Sequence, residues 1–260
     1  MQGKRGLIMG VANDFSLGFG IAKALKNAGA ELAFSYQSDM IYKRLKPIAE
    51  DLGSNIILEC DVTKDGSINE MFTQLGKQWD GIDFVVHSLA FANKDELKGR
   101  YCDTSRAGFN MALDVSCFSF VETCKEASPY MNDGGSFLTL TYYGAEKVVP
   151  NYNVMGVAKA ALDCSVRYLA NDLGEKNIRV NGLSAGPVKT LAAMGISDFR
   201  DVLNWHKHNA PLKRNVSLDD VSKAGLYLVS DLSSGVTGEI HHVDCGYNII
   251  GMKALEKEIL

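Results

Sequence analysis

The chain lacks a basic excess: 27 Lys and Arg stand against 31 Asp and Glu, a formal charge of −4. It therefore has no positive surface of the kind nucleic acid requires. Its six cysteines (60, 102, 117, 124, 164 and 245) include no C-x-x-C and no metal-ligand spacing. Dispersed thiols of this kind exclude a zinc module and fit a reducing, cytoplasmic setting. No apolar run is long enough to span a bilayer, and the one after the N-terminal basic residues breaks at Asn13-Asp14. Neither a membrane partner nor a cleavable signal is expected. No Pro/Gly/Ser linker divides the 260 residues and no internal repeat is visible, so one domain spanning 1–260 is expected. Such a length buries a sizeable core.

Short Val/Ile/Leu runs alternate with longer helical patterns, which is the mark of βαβ units around a parallel sheet. Strands are expected near 6–10, 31–36, 55–59, 83–87, 135–141, 178–184 and 239–243. Helices are expected near 18–28, 39–52, 65–79, 106–131, 153–173 and 218–230. Residues 188–210 break the alternation where a sheet needs only a short connection. Insertions at strand carboxyl ends commonly cover a ligand, so 188–210 is expected to form a substrate lid.

The first strand, Arg5-Gly-Leu-Ile-Met9, runs into Gly10 and then through Ser16, Leu17, Gly18 and Gly20 into the amphipathic Ile21–Ala28. Strand, glycine loop and helix is a dinucleotide-binding arrangement, in which backbone approaches a pyrophosphate and the helix N-terminus supplies N–H groups. The spacing is longer than G-x-G-x-x-G, and Ser16 offers a hydroxyl in the extra length. The expected fold is a single Rossmann-type, doubly wound α/β domain, a seven-stranded parallel sheet with helices on both faces. The second strand ends at Gln37, with no Arg beside it to receive a 2′-phosphate, so the cofactor is NAD, with NADH preferred over NADPH. Asp61, at the end of the third strand, either caps a turn or accepts from an adenine amino group.

Tyr152 and Lys159 stand seven residues apart, just after the apolar run Ser136–Thr141. Seven residues return to nearly the same helix face roughly 10 Å further on. A phenol and an ammonium so placed address two ends of one ligand, and together polarise a carbonyl oxygen. His241 and His242 are adjacent strand positions pointing to opposite faces, which argues against a metal site, and none is expected. His87 has no carboxylate paired with it in sequence and reads as a core histidine.

The segments Leu140-Thr-Tyr-Tyr-Gly-Ala-Glu-Lys147 and Pro150-Asn-Tyr-Asn-Val-Met-Gly-Val-Ala-Lys159 carry the pattern Tyr142-x9-Tyr152-x6-Lys159. With Ser184–Ala192, His87–Ala92 and Ser234–Asp244, this resembles bacterial NADH-dependent enoyl-[acyl carrier protein] reductases, over essentially residues 3–252. Ordinary short-chain dehydrogenases are similar in fold but use Tyr-x3-Lys with a Ser where Tyr142 stands. The resemblance implies a homotetramer that acts on acyl carrier protein in fatty acid elongation. It implies cofactor contacts by Gly10, Ser16, Leu17, Gln37, Asp61, Val62, Leu89 and Lys159, and by the run Val188, Lys189, Thr190, Leu191 and Ala192. Ala92 would lie by the substrate, with Tyr142 and Tyr152; Met194, Ile196 and Phe199 would wall an acyl channel. One departure is the stretch Ser197–Asp201, where many relatives carry several basic residues and this chain has only Arg200.

The expected reaction is hydride transfer from NADH to the β-carbon of a trans-2-enoyl thioester. The Tyr152 hydroxyl stabilises the enolate oxygen, Lys159 holds the nicotinamide ribose, and Tyr142 shapes the thioester pocket. Two alternatives stand beside it: a carbonyl-reducing short-chain dehydrogenase, identified by an alcohol product, and a non-catalytic dinucleotide sensor.

Overall fold

The computed structural model describes residues 1–190 and 199–252. Seven strands form one parallel sheet: β1 (Arg5–Met9), β2 (Glu31–Tyr36), β3 (Ile57–Glu59), β4 (Ile82–His87), β5 (Met131–Thr141), β6 (Arg179–Ala185) and β7 (Ile240–Val243). Their order is β3-β2-β1-β4-β5-β6-β7, parallel at every pairing. The chain builds outward from β1 to β3, then returns to start the other half at β4. That reversal opens a crevice beyond the carboxyl ends of β1 and β4.

The helices are α1 (Leu17–Asn27), α2 (Asp39–Asp51), α3 (Ser67–Gly76), α4 (Arg106–Leu113), α5 (Ser119–Ala127), α6 (Asn153–Gly174), α7 (Phe199–Asn209) and α8 (Leu218–Val229). Strand alternation divides the core between the two faces of the sheet. Ile8 and Phe34 pack with Ile21, Leu25, Leu45 and Leu228 of α1, α2 and α8. Leu7, Met9 and Ala33 pack on the other face with Phe72, Phe120, Leu162 and Val166 of α3, α5 and α6. A capping box starts α8: the Ser217 hydroxyl accepts from the Asp220 N–H and the Asp220 carboxylate accepts from the Ser217 N–H.

The strands and the paired faces match the sequence expectation, with four differences. The helix expected at 106–131 is broken: α4 and α5 flank a π-turn at Asp114–Phe118, and α5 ends at Ala127. Polar side chains account for the break, since Ser116 binds the Phe91 backbone and Ser119 reaches His87, as well as the Val115 carbonyl. Strand β5 accordingly starts at Met131, with a register shift against β4, before its regular part from Ser136. Strand β3 and helix α3 are shorter than expected, 57–59 and 67–76. Helix α7 lies inside the 188–210 stretch expected to be a lid, outside the helices expected from the pattern. Among the described residues, no helix is long and apolar enough to cross a membrane.

Candidate active site

Gly10 leaves β1 with φ +88°, and a Cβ built on it would lie 2.1 Å from the Ser88 carbonyl oxygen just beyond β4. Only glycine lets the two strand ends approach so closely. Ser16 precedes α1 without capping it; its hydroxyl donates to the Asn13 carbonyl at 2.7 Å. The first-turn N–H groups of α1 therefore have no partner within the helix, and with its dipole they favour an anion. From this cradle a cleft of about 1010 Å³ runs past Gln37 at one end to Tyr142, Tyr152 and Lys159 at the other. Its volume is at the top of the usual range for small-ligand sites, which fits an extended dinucleotide with a substrate beside it.

At the far end of β2, the Gln37 amide donates to Asp61 Oδ1 at 3.3 Å. Burial works against ionisation of Asp61, but hydrogen bonds from Thr63 and Gln37 outweigh it and hold the carboxyl below its ordinary value. Around Gln37 the cleft is lined by Ser35, Tyr36 and Ile41, with no cation among them.

At the near end, Tyr152 is the residue before α6 and Lys159 stands two turns along it; they are 8% and 4% exposed. Lys159 Nζ donates to the Leu140 carbonyl at 2.7 Å, which leaves two of its three donors for the cleft. Burial pushes the ammonium down to about 8, against the pull of Asp163 one turn further on. Burial pushes the Tyr142 phenol up to about 12. It raises Tyr152 too, with Tyr142 and Asp163 acting in the same direction. Both phenols are thus O–H donors at neutral pH, and neither is a ready base. Their rings meet edge-on, 5.1 Å apart at 77°. A buried donor beside a buried cation is an arrangement that stabilises negative charge on a carbonyl oxygen.

The family model described as enoyl-(acyl carrier protein) reductase matches residues 10–248. The chain belongs to this family. It is 60% identical over 256 residues to "Enoyl-[acyl-carrier-protein] reductase [NADH] 1" of Rhizobium meliloti (strain 1021), covering 98% of this chain and 94% of that protein. It is 58% identical over 255 residues to the "Enoyl-[acyl-carrier-protein] reductase [NADH] FabI" of Rickettsia typhi, covering 98% of both. Among solved structures, the enoyl-(acyl-carrier-protein) reductase of Anaplasma phagocytophilum in complex with NAD superposes with a TM-score of 0.95 at 57% identity, covering 98% of this chain and 97% of that one.

In this member of the enoyl reductase family, the cleft brings together Gly10, Ser16, Leu17, Gln37, Leu89, Ala92, Tyr142, Tyr152, Lys159, Val188, Thr190 and Phe199. Asp61 reaches that set through Gln37, whereas Val62 packs against the core under the sheet and Lys189 is not part of the lining. Leu191, Ala192, Met194 and Ile196 lie outside the described residues. Of the two adjacent tyrosines, Tyr142 faces the cleft, while the Tyr143 hydroxyl donates to the Asn248 carbonyl. His87 is a core histidine, fully buried with its ring nitrogens on Thr139 and Ser119. His242 pairs with Glu146 at 2.6 Å and His241 lies against the Tyr227 ring. Sequence reasoning passed over Ser88, Met155 and Val202, which also line the cleft, and over Gly144, where a Cβ would meet the Tyr152 ring at 2.5 Å. A glycine directly after two tyrosines was the available signal.

Proposed function

We propose that this chain is an NADH-dependent enoyl-[acyl-carrier-protein] reductase, reducing trans-2-enoyl thioesters to saturated acyl chains in the final step of each fatty acid elongation cycle. The observation that carries this is Tyr152 at the entry to α6 and Lys159 two turns along it, with Tyr142 edge-on to the phenol, in a cleft continuous with the glycine cradle. NADH, when bound, supplies the hydride for the β-carbon. Gly10, Ser16, Leu17 and the N-terminus of α1 hold the pyrophosphate, Gln37 and Asp61 the adenosine end, and Lys159 the nicotinamide ribose. Lys159 also adds positive potential where charge develops. The Tyr152 hydroxyl donates to the thioester oxygen and stabilises the enolate before a proton adds at the α-carbon. Tyr142 packs Tyr152 in place and shapes the thioester pocket.

Further assignments belong to the same proposal. The chain is one oxidoreductase domain with 188–210 as its lid; Phe199 and Val202 on α7 line the cleft, which supports this. Arg200 beside them is exposed, and it is the one basic residue of 197–201 available to an acidic carrier protein. A homotetramer is supported by bulky apolar residues left exposed: Phe118 at 55% in the π-turn and Tyr168 at 71% on α6. Six free cysteines support a cytoplasmic location.

The deciding assay is NADH oxidation with crotonyl and longer enoyl thioesters, with the product identified. A saturated acyl product is expected. An alcohol product would make the chain a carbonyl reductase, and NADH binding without turnover would make it a sensor.

A further inference from the structure

The backbone on both sides of Tyr152 is in the left-handed region: Asn151 has φ 60° and Asn153 φ 37°. Outside glycine this region is uncommon, Asn tolerates it best, and such residues gather at functional sites. Asn153 also has a long-range contact. Its Nδ2 donates to the carbonyls of Lys98 (3.3 Å) and Gly99 (3.2 Å), more than fifty residues earlier in the chain. Those carbonyls follow a 3-10 turn, Lys94–Leu97, and the same stretch gives Ala92, Lys94 and Leu97 to the cleft wall. Ala92 and Leu97 also pack against the cluster that contains Tyr152, Met155 and Ala158. Asn153 is therefore the point at which the wall beside the substrate is tied to the residue after the phenol.

We propose that Asn153 is a positioning residue of the active site: its amide straps the Lys98–Gly99 wall to the start of α6, and its left-handed backbone sets the direction from which Tyr152 enters the cleft. This rests on the enoyl reductase function proposed above. The two parts of the role separate by substitution. Asn153→Gly keeps the left-handed backbone and loses the strap. Asn153→Ala loses the strap and resists the backbone conformation as well.

Asn153→Gly should raise KM for a crotonyl thioester about tenfold, the worth of one or two neutral hydrogen bonds, with kcat nearly unchanged. Asn153→Ala should show the same rise in KM and in addition lose kcat by about tenfold or more, because the phenol is displaced. NADH affinity, measured by fluorescence titration, should stay within about twofold for both, since Lys159 and the glycine cradle do not touch Asn153. A readout independent of turnover is amide hydrogen exchange without substrate. Exchange across residues 94–103 should quicken in both variants while the part of α6 beyond Ala158 keeps its protection.

Unchanged exchange at 94–103 in Asn153→Gly would overturn the strap whether or not the protein reduces enoyl thioesters. Equal kcat in the Gly and Ala variants would overturn the backbone role. A fall in NADH affinity parallel to kcat would do the same, by making the effect general unfolding. If the parent protein fails to turn over crotonyl thioester while the exchange result holds, the enoyl reductase function fails and the strap stands.

Discussion

Asp163 stands one helical turn beyond Lys159 on α6, 8% exposed, and its Oδ1 is buried without a hydrogen-bond partner. Burial pushes this carboxyl up to about 6, although Thr141 and Lys159 favour its ionised form. Burial depresses Lys159 to about 8, and Asp163 is the leading group that counters it. The cation assigned to the cofactor is thus maintained by a carboxylate that does not line the cleft. In the apoenzyme Lys159 loses its proton as pH rises through about 8, so NADH affinity should fall above that pH. Asp163→Asn removes the supporting charge and should move the fall to lower pH. The other titratable groups facing this pair are Cys117, Glu146, Arg167, Tyr152 and His87, and none is altered by the change. Fluorescence titration of NADH between about pH 6 and 10 checks this; a midpoint that stays or rises contradicts it.

The same carboxyl should leave a mark on stability. Its native value of about 6 lies above its ordinary 3.8, so the folded state binds the proton more tightly than the unfolded chain. That contribution is fully present below 3.8 and is lost as pH rises through about 6. Unfolding of the apoenzyme by urea at pH 4 and pH 7 should therefore show wild type losing ground relative to Asp163→Asn over that interval. A constant difference between the two proteins would mean that Asp163 titrates normally.

Much of this site was legible in the sequence because it is written in spacing. Tyr152 at the entry to α6 and Lys159 are about two turns apart, and Gly10 to Ser16 is a loop between a strand and a helix; both survive any uncertainty in element ends. Asp163 was not legible, because an acid in an alternating helical run reads as a solvated residue and nothing local marks it as buried. Helix α7 was missed for a related reason. Its buried positions are Leu203, His206 and Asn209, so two of the three are polar, and Phe199, Val202 and Leu203 leave only a short apolar stripe to mark the helix. The His206 ring instead stacks near Tyr247 and its Nδ1 faces Asn215 Oδ1, contacts that only the tertiary fold provides. The break between α4 and α5 was hidden likewise, since Ser116 and Ser119 find their partners on Phe91 and His87, far away in sequence.

Gly144 is where the fold leaves room for the phenol. A Cβ there would lie 2.5 and 2.7 Å from two ring carbons of Tyr152. Gly144→Ala must therefore displace the ring, and a misplacement of this kind commonly costs on the order of a hundredfold in turnover. NADH affinity should be unaffected. Steady-state kinetics with a crotonyl thioester, beside NADH titration, test this. Undiminished kcat would show that the ring position is not critical.

The adenosine end should decide between cofactors. In the proposed cofactor placement Gln37 meets the adenosine ribose, and Ser35, Tyr36 and Ile41 around it supply no positive charge for a 2′-phosphate. Catalytic efficiency with NADH should exceed that with NADPH by about tenfold or more, the worth of one charge-assisted hydrogen bond. Gln37→Arg should narrow the gap from the NADPH side. Lys43 and Arg44 lie nearby in sequence on α2. Equal efficiency in the parent protein would mean that these or other cations already serve the phosphate.

The roles of the two central residues separate by what each loses. Lys159→Met removes the cation assigned to the cofactor ribose, so weaker NADH binding should be its first defect, with lost turnover following. Tyr152→Phe removes the one hydroxyl proposed to donate to the substrate oxygen, so NADH affinity should be nearly unchanged. A hydrogen bond that strengthens in the transition state appears as lost turnover and not as lost binding. Removing one such donor commonly costs on the order of a hundredfold. Here Tyr142 lies edge-on at 5.1 Å and is itself a neutral phenol, so it can take over part of the task. The loss from Tyr152→Phe should therefore be smaller than that from Lys159→Met, and should grow when Tyr142→Phe is added. Because the two rings touch, the combined effect should exceed the sum of the single free-energy changes. NADH fluorescence titration and single-turnover hydride transfer, run on the two single variants and the double, decide the matter. Normal NADH binding by Lys159→Met together with weakened binding by Tyr152→Phe would reverse the assignment and place the phenol on the cofactor.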